Sequence, residues 1–322
     1  MRPTVAVAGI LLAVACDTGG PSFDVPFPFE YMQDVDTDTS GFDAVACDFM
    51  SPSGSAIAAA GSYIFFIDHE MGYVLALIDT GYPIDDICAT AEGGFAAAVS
   101  GHLLIYVSDG TYAEHDPVLL PEYGFFVVAK PEDNVLWVVC SDGSVQTVST
   151  ITWQVSSSHA TAVSEPVAAA ADVNGSRLYV ADAADGTVKT LSTSDFSLVA
   201  TESLDGGAAA DLCASPLGGV WVARHSEGSP YQLWHLDSGT GLHDQTIPVQ
   251  YDPVSVAVTP GGSYFFVGHQ AQTIVYDDAG NIEASDNGGY SPAADMAISG
   301  DGDRSVVCQG GGFHRIWMLQ KN

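Results

Sequence analysis

One pattern of about forty residues recurs along most of the chain. Its clearest copy reads RLYVADAADGTVKTLST over residues 177–193, where two apolar stretches flank an Asp-Gly turn. An alanine-rich stretch and an Asn-Gly turn stand just before it. Because Asp-Gly and Asn-Gly favour the positive φ angles of tight turns, each copy predicts several short β-strands in succession.

The copies follow one another at an even spacing. The small residue that closes the second apolar stretch recurs at steps of 39 to 45 residues, at Ala59, Ala98, Cys140, Ala181, Ala223, Gly268 and Cys308. Repeats of this length with four strand-like segments are typical of propeller blades. The sequence therefore predicts an all-β fold, a seven-bladed β-propeller of four-stranded blades, with no second domain.

The last copy supplies only three strands, which would leave a bare sheet edge. Residues 29–38, FEYMQDVDTD, lie just before the first copy. We expect this segment to pair beside residues 315–319, so that an N-terminal strand closes the ring.

The stretch LYVADAADGTVKTL in the fourth copy resembles the YVTN repeat of seven-bladed propellers in bacterial and archaeal envelope proteins. The resemblance extends in pattern over residues 42–320. It implies the propeller architecture and a place in the cell envelope. It implies no particular task, because this fold carries many functions.

The N-terminus predicts export. An apolar run over residues 5–15 is too short to span a bilayer and suits the core of a signal peptide. The small residues before Cys16 resemble a bacterial lipobox, which implies cleavage after Ala15 and a lipid on Cys16. An ordinary secretory signal cut at the same place is the alternative. We expect a signal peptide over residues 1–15, a flexible tether over 16–28 and the propeller over 29–322.

Acidic residues dominate the charge of the chain. Asp and Glu number 40 against 8 Lys and Arg, a formal net charge of −32. Such a surface repels nucleic acid, and it would contact a membrane only through the lipid anchor. We expect the protein to be a monomeric, membrane-anchored lipoprotein of the periplasm or cell surface. Its partner should be an envelope protein, a peptide or a polysaccharide.

The five cysteines after Cys16 show no CxxC pair and no zinc-ligand spacing. We expect them to act as small buried apolar residues and not to form a disulfide framework.

The loops before the first strand and after the second strand of each blade should open on one face, which we name the mouth face. Polar residues at these points form a candidate ligand-binding set: Asp86, Asp142, Asp182, Asp211, Arg224, His225, His269, Asp295 and Gln309. Oxygen ligands of this kind suit a divalent cation or a polar ligand. The alternative is that the aspartates only stabilise turns and that Arg224 offsets its acidic neighbours.

A weaker metal candidate is the run Asp34, Asp36 and Asp38, which starts like a calcium loop. The glycine and glutamate of the EF-hand pattern are missing, since Thr39 and Val45 stand there. This run would bind calcium, and the sequence indicates no other cofactor.

Enzyme motifs such as G-x-S-x-G, H-E-x-x-H and C-x-x-C-H do not occur. The sequence therefore predicts a non-catalytic binding scaffold with no catalytic residues. Two alternatives stay open: a lactonase-like propeller hydrolase that uses the acidic mouth face, and a cation-dependent structural protein of the cell surface.

Overall fold

A computed structural model describes residues 29–321, apart from 37–42, 51–54, 69, 91–93, 109–110, 113–114, 132, 227–229, 286–292, 300–301, 303 and 311–314. The predicted signal peptide, the tether, the lipidation site Cys16 and the calcium candidate Asp38 lie outside the described residues. Asp34 and Asp36 are described only as part of the backbone of a strand.

The described chain is built from twenty-six β-strands. In order they are β1 (Phe29–Asp36), β2 (Ala44–Phe49), β3 (Ala56–Ala60), β4 (Tyr63–Ile67), β5 (Val74–Asp79), β6 (Asp86–Ala89), β7 (Phe95–Ser108), β8 (Val118–Ala129), β9 (Val135–Cys140), β10 (Val145–Ser149), β11 (Gln154–His159), β12 (Pro166–Ala171), β13 (Arg177–Asp182), β14 (Thr187–Ser192), β15 (Leu198–Ser203), β16 (Ala208–Ala214), β17 (Val220–His225), β18 (Tyr231–Leu236), β19 (His243–Val249), β20 (Pro253–Val258), β21 (Tyr264–His269), β22 (Thr273–Asp277), β23 (Ile282–Ser285), β24 (Ala293–Ile298), β25 (Arg304–Gln309) and β26 (Arg315–Lys321). The described part of the chain contains no helix that could span a bilayer.

The strands form six antiparallel sheets around an axis. Five sheets have four strands, in the orders β2-β3-β4-β5, β12-β13-β14-β15, β16-β17-β18-β19, β20-β21-β22-β23 and β24-β25-β26-β1. Neighbouring sheets meet through their first strands, and β24 packs beside β2, so these strands line the axis. The chain is an all-β propeller with four-stranded blades, as the repeats predict.

The sixth sheet contains all of β6 to β11, which corrects the expectation of seven separate blades. Strands β7 and β8 have 14 and 12 residues and continue through Gly101 and Gly124, which pair with each other. At the corresponding points of the other repeats a turn interrupts the chain. Two sequence repeats therefore share one sheet, although the second half of β8 still lies between β6 and β12 near the axis.

Strand β1 is the fourth strand of the sheet that holds the C-terminal strand. It pairs antiparallel with β26, from Phe29 opposite Lys321 to Asp36 opposite Arg315. The predicted pairing of this segment beside residues 315–319 is present in the structure. The register also fixes polarity, because Arg315 follows the loop after β25 and therefore lies at the mouth face, whereas Phe29 lies at the opposite face.

The hydrophobic core lies between neighbouring sheets. All five residues of β3 are buried, because small alanines let adjacent sheets approach closely near the axis. Larger side chains fill the wider gaps further out, where Trp137 packs with Leu178 and Phe196. Each sheet thus covers the apolar face of the next, which explains why one repeat cannot bury its own core.

Aromatic residues in left-handed conformation link successive repeats. The N–H groups of Tyr112, Trp153 and Phe196 donate to the carbonyl oxygens four residues earlier, at 2.9, 2.8 and 2.7 Å. Their φ angles are 50°, 50° and 55°, which is unfavourable for bulky side chains. Packing against the preceding repeat offsets this cost: the Trp153 ring stacks on Tyr106 at 3.6 Å between centroids, and Phe196 contacts Trp137 edge to face at 6.1 Å.

Candidate functional site

Asp182 ends β13 at the mouth face and is buried. Its carboxylate accepts hydrogen bonds from the N–H groups of Ser164, Glu165 and Ala184 and from Lys189 Nζ, which lies 2.5 Å from Oδ2. Burial by itself would raise the pKa of Asp182, but these donors outweigh it and the pKa is lowered. The Asp182 carboxylate therefore fixes the loop before β12.

Arg224 and His225 end β17, and the structure gives them different surroundings. The Arg224 Nε donates to the Leu204 carbonyl oxygen at 3.0 Å, and its guanidinium lies 4.6 Å from the ring centroid of Trp234. Arg224 is thus buried against an aromatic ring and the backbone. His225 is exposed, and its Nδ1 is hydrogen-bonded to Asp252 Oδ2.

His269 ends β21 and is only 2% exposed. Its Nδ1 lies 3.0 Å from the Asp252 carbonyl oxygen, and its Nε2 lies 3.2 Å from the Tyr276 hydroxyl. The Gln250 N–H donates to that hydroxyl at 3.0 Å, so the hydroxyl is free to donate to Nε2. Only a neutral ring with its proton on Nδ1 satisfies this chain of bonds. Burial agrees, since it lowers the pKa of His269 to about 4.

The two remaining candidates of the second-strand ends differ in accessibility. Asp142 is exposed in the turn after β9, where its Oδ1 accepts a hydrogen bond from the Ser144 N–H at 2.9 Å. Gln309 ends β25 and is 1% exposed, and its Oε1 has no hydrogen-bond partner among the described residues.

Asp86, Asp211 and Asp295 lie on the innermost strands β6, β16 and β24 rather than in mouth-face loops. Asp48 on β2 joins them, a residue that the sequence-based set missed. We name these four residues the axial aspartates. A polar residue inside an otherwise apolar first strand, as in CDFM, DICA, DLCA and DMAI, is the signal that marks all four.

Each axial aspartate links its own strand to the first strand of the next repeat. One carboxylate oxygen accepts the N–H of the following residue, at 2.7 to 2.9 Å. The other accepts an N–H from the next repeat at 2.7 to 2.9 Å, and the four donors are Ala89, Val127, Val256 and Cys47. These bonds connect innermost strands that belong to different repeats.

The axial aspartates are half-buried on the strands that line the axis. Burial raises the pKa of Asp48 and Asp211 to about 6 and of Asp86 to about 7, and raises that of Asp295 well above its usual value. The charge of Asp211 raises the pKa of both Asp86 and Asp295 further. At neutral pH this belt therefore carries fewer charges than its four carboxyl groups suggest.

The site brings together two kinds of polar group. At the mouth face, Asp182, Arg224 and His269 are buried and bound to neighbouring backbone, while Asp142 and His225 face solvent. Along the axis, both oxygens of each axial aspartate accept backbone N–H groups. Among the residues described, no group of three or more His, Cys, Asp or Glu is placed to hold a metal ion.

Comparison with known proteins supports the class of fold. No protein-family model matches the chain, and no curated protein matches it. Among solved structures, Kuenenia stuttgartiensis hydrazine synthase is similar, with a TM-score of 0.73 and 12% sequence identity over 87% of this chain and 96% of that chain. At this identity the similarity shows a β-propeller fold and nothing about activity.

Proposed function

We propose that the protein is an exported lipoprotein whose propeller is a non-catalytic binding scaffold of the cell envelope, comparable to the YVTN propellers that its fourth repeat resembles. A signal-like segment followed by Cys16 supports export and lipid attachment. The propeller provides a rigid base with loops at both faces, which suits recognition of a partner.

The single observation that carries this proposal is the burial of three mouth-face side chains that could otherwise act as an acid, a base or a cationic group. Asp182, Arg224 and His269 are 1%, 9% and 2% exposed. A general acid, a base or a nucleophile must come within hydrogen-bonding distance of a substrate, and these groups instead bind their own backbone. Their arrangement favours a structural role, and hence a binding scaffold over a hydrolase.

The polarity of β1 determines which face would meet a partner. Phe29 pairs with Lys321 at the face opposite the mouth, and the predicted tether joins the propeller at Phe29. A lipid on Cys16 would hold that opposite face towards the membrane. The mouth face would then point away from the membrane and be available to other envelope components.

Exposed acidic side chains lie at the mouth face. Asp85, Asp142 and Glu165 all lie exposed in loops that open there. Opposite charges across an interface accelerate association and favour the correct partner. We therefore propose that the partner is a protein or peptide segment rich in Lys and Arg, and that a neutral polysaccharide would bind without this charge dependence.

Cell fractionation tests export and anchoring. The intact protein should be found in the membrane fraction and carry fatty acid, whereas Cys16→Ala should lose the label and leave that fraction. An intact protein that remains cytoplasmic and unlabelled would contradict the first half of the proposal.

Affinity capture from native membranes tests the scaffold. The double variant Asp142→Lys with Glu165→Lys should lose the captured partner, and rising salt should weaken capture by the original protein. Asp278→Lys is the matched control, because Asp278 lies exposed in the β22–β23 turn at the opposite face. Equal capture by both variants would refute the mouth face as the binding surface.

A further inference from the structure

Two thiols lie where the sheet of β24, β25, β26 and β1 packs against the β2–β5 sheet. Cys47 lies on β2 and Cys308 on β25, 261 positions apart (308 − 47). Both belong to one buried cluster. The Cys308 thiol donates a hydrogen bond to the Ala46 carbonyl oxygen at 3.4 Å, and the Cys47 thiol donates one to the Val306 carbonyl oxygen at 3.7 Å, so each thiol lies against the strand that carries the other.

We propose that Cys47 and Cys308 are joined by a disulfide when the chain folds in an oxidising compartment, which links the first repeat covalently to the last. In the cell this inference depends on the proposed export, because cytosolic thiols are kept reduced. The bond itself depends only on the proximity of the two side chains, so it can be tested on purified protein.

The surroundings distinguish this pair from the other cysteines. The Cys47 N–H donates to Asp295 Oδ2 at 2.7 Å, and the Cys47 thiol contacts the Val306 carbonyl oxygen of the same neighbouring sheet. Cys88 and Cys140 also share one buried cluster, but there Gln146 Nε2 donates a hydrogen bond to the Cys140 Sγ at 3.2 Å. Cys213 packs in a different cluster, beside Trp221.

The reaction needs a disulfide as oxidant, and oxidised glutathione serves as the probe. The thiolate of one cysteine attacks glutathione disulfide, forms a mixed disulfide and releases one reduced glutathione. The second cysteine then attacks its partner's sulfur and releases the second glutathione. Two protons leave the protein thiols, and the two electrons that they give up reduce the glutathione.

Burial decides when this reaction is fast. It raises the pKa of the Cys47 thiol well above its usual value and also raises that of Cys308. Since the thiolate is the attacking species, the folded protein should react slowly with the oxidant. We expect the bond to form during folding, before the two sheets close over the thiols.

The test is refolding of the full chain from denaturant in oxidised and reduced glutathione, followed by thiol counting under denaturing conditions. The refolded protein should lose two thiols and yield one cross-linked peptide pair that contains Cys47 and Cys308. Its Tm should rise by about 5 °C over that of the reduced protein, because the bond closes a long loop. The native reduced protein should react at least about 10-fold more slowly.

Variants keep the result interpretable. Cys47→Ala and Cys308→Ala should each abolish the thiol loss and the rise in Tm, while the control Cys213→Ala should keep both. Circular dichroism of the reduced variants verifies that they fold. Refolded protein that keeps all its thiols, or that links other cysteines, would overturn the inference and leave the proposed export and scaffold role unaffected.

Discussion

Asp86 offers a direct test of the belt of axial aspartates, through the pH dependence of stability. Its carboxylate binds the N–H groups of Ile87 and Val127, and burial raises its pKa from 3.8 to about 7. A carboxyl group whose pKa is higher in the folded chain than in the unfolded chain stabilises the fold fully at low pH. That contribution is lost as the pH rises through about 7.

The size of the effect follows from the same values. Between pH 5 and pH 7 Asp86 is largely protonated in the folded chain, whereas it is already ionised in the unfolded chain. Over these two pH units the free energy of unfolding therefore falls by up to about 2.7 kcal/mol. Water that reaches the side chain from the axis reduces this figure, so we expect a loss of about 1–2 kcal/mol. Asp86→Asn cannot ionise and should escape this loss.

The assay is urea unfolding, followed by tryptophan fluorescence at pH 5, 6, 7 and 8. Asp86→Asn should be less stable than the original protein at pH 5, because the amide accepts only one of the two N–H groups. Its deficit should shrink by about 1–2 kcal/mol by pH 8. The variant Asp278→Asn controls for the loss of one negative charge at an exposed turn. A deficit for Asp86→Asn that stays constant or grows with pH would refute the reasoning.

Three further predictions concern packing and protonation. A Cβ on Gly241, where φ is +70°, would lie 2.6 Å from Thr190 Oγ1, so Gly241→Ala should lower the free energy of unfolding by about 2–3 kcal/mol. Gly81 is the control, because its φ is +72° but no atom lies within 4 Å of an added Cβ. Gly81→Ala should lower the free energy of unfolding by only about 1 kcal/mol in the same urea titration. NMR should find the His269 ring neutral with its proton on Nδ1 down to about pH 4, and a charged ring at pH 6 would contradict the hydrogen-bond chain. Phe196→Gly relieves a left-handed φ of 55° but removes a buried ring, so it should still lose about 3 kcal/mol by thermal or urea unfolding, whereas equal stability would show that strain outweighs packing.

The repeat made the class of fold predictable. Alanines in the inner strands and Gly-containing turns recur at one spacing. Small residues fit where the sheets converge on an axis, and tight turns join the short strands of each sheet. The merger of two repeats into one sheet was not predictable. Gly101 and Gly124 each lie within a strand, where glycine usually weakens pairing, and their pairing depends on the packing of two long strands.

The candidate site was predictable in position more than in role. Asp182 and His269 do end second strands at the mouth face, as their place in the repeat indicates. Their burial follows from tertiary contacts with Lys189 and Tyr276, which no local pattern reveals. The left-handed conformation of Trp153 and Phe196 could not be predicted for another reason. Local preference opposes a positive φ for such bulky residues, and only packing against the neighbouring repeat offsets this cost.

The contacts between the first and last repeats offset the entropic cost of closing a long loop. Successive repeats are joined by short loops, whereas Phe29 and Lys321 pair across 292 positions (321 − 29). Each doubling of loop length costs about 0.6 kcal/mol, so bringing Phe29 and Lys321 together costs roughly 3 kcal/mol more than an ordinary junction between repeats. This junction also has more kinds of contact: a β1–β26 ladder, a hydrogen bond from the Cys47 N–H to Asp295, and the thiol pair. A disulfide there would remove the same entropy cost from the unfolded chain, which is why this junction benefits most from a covalent link.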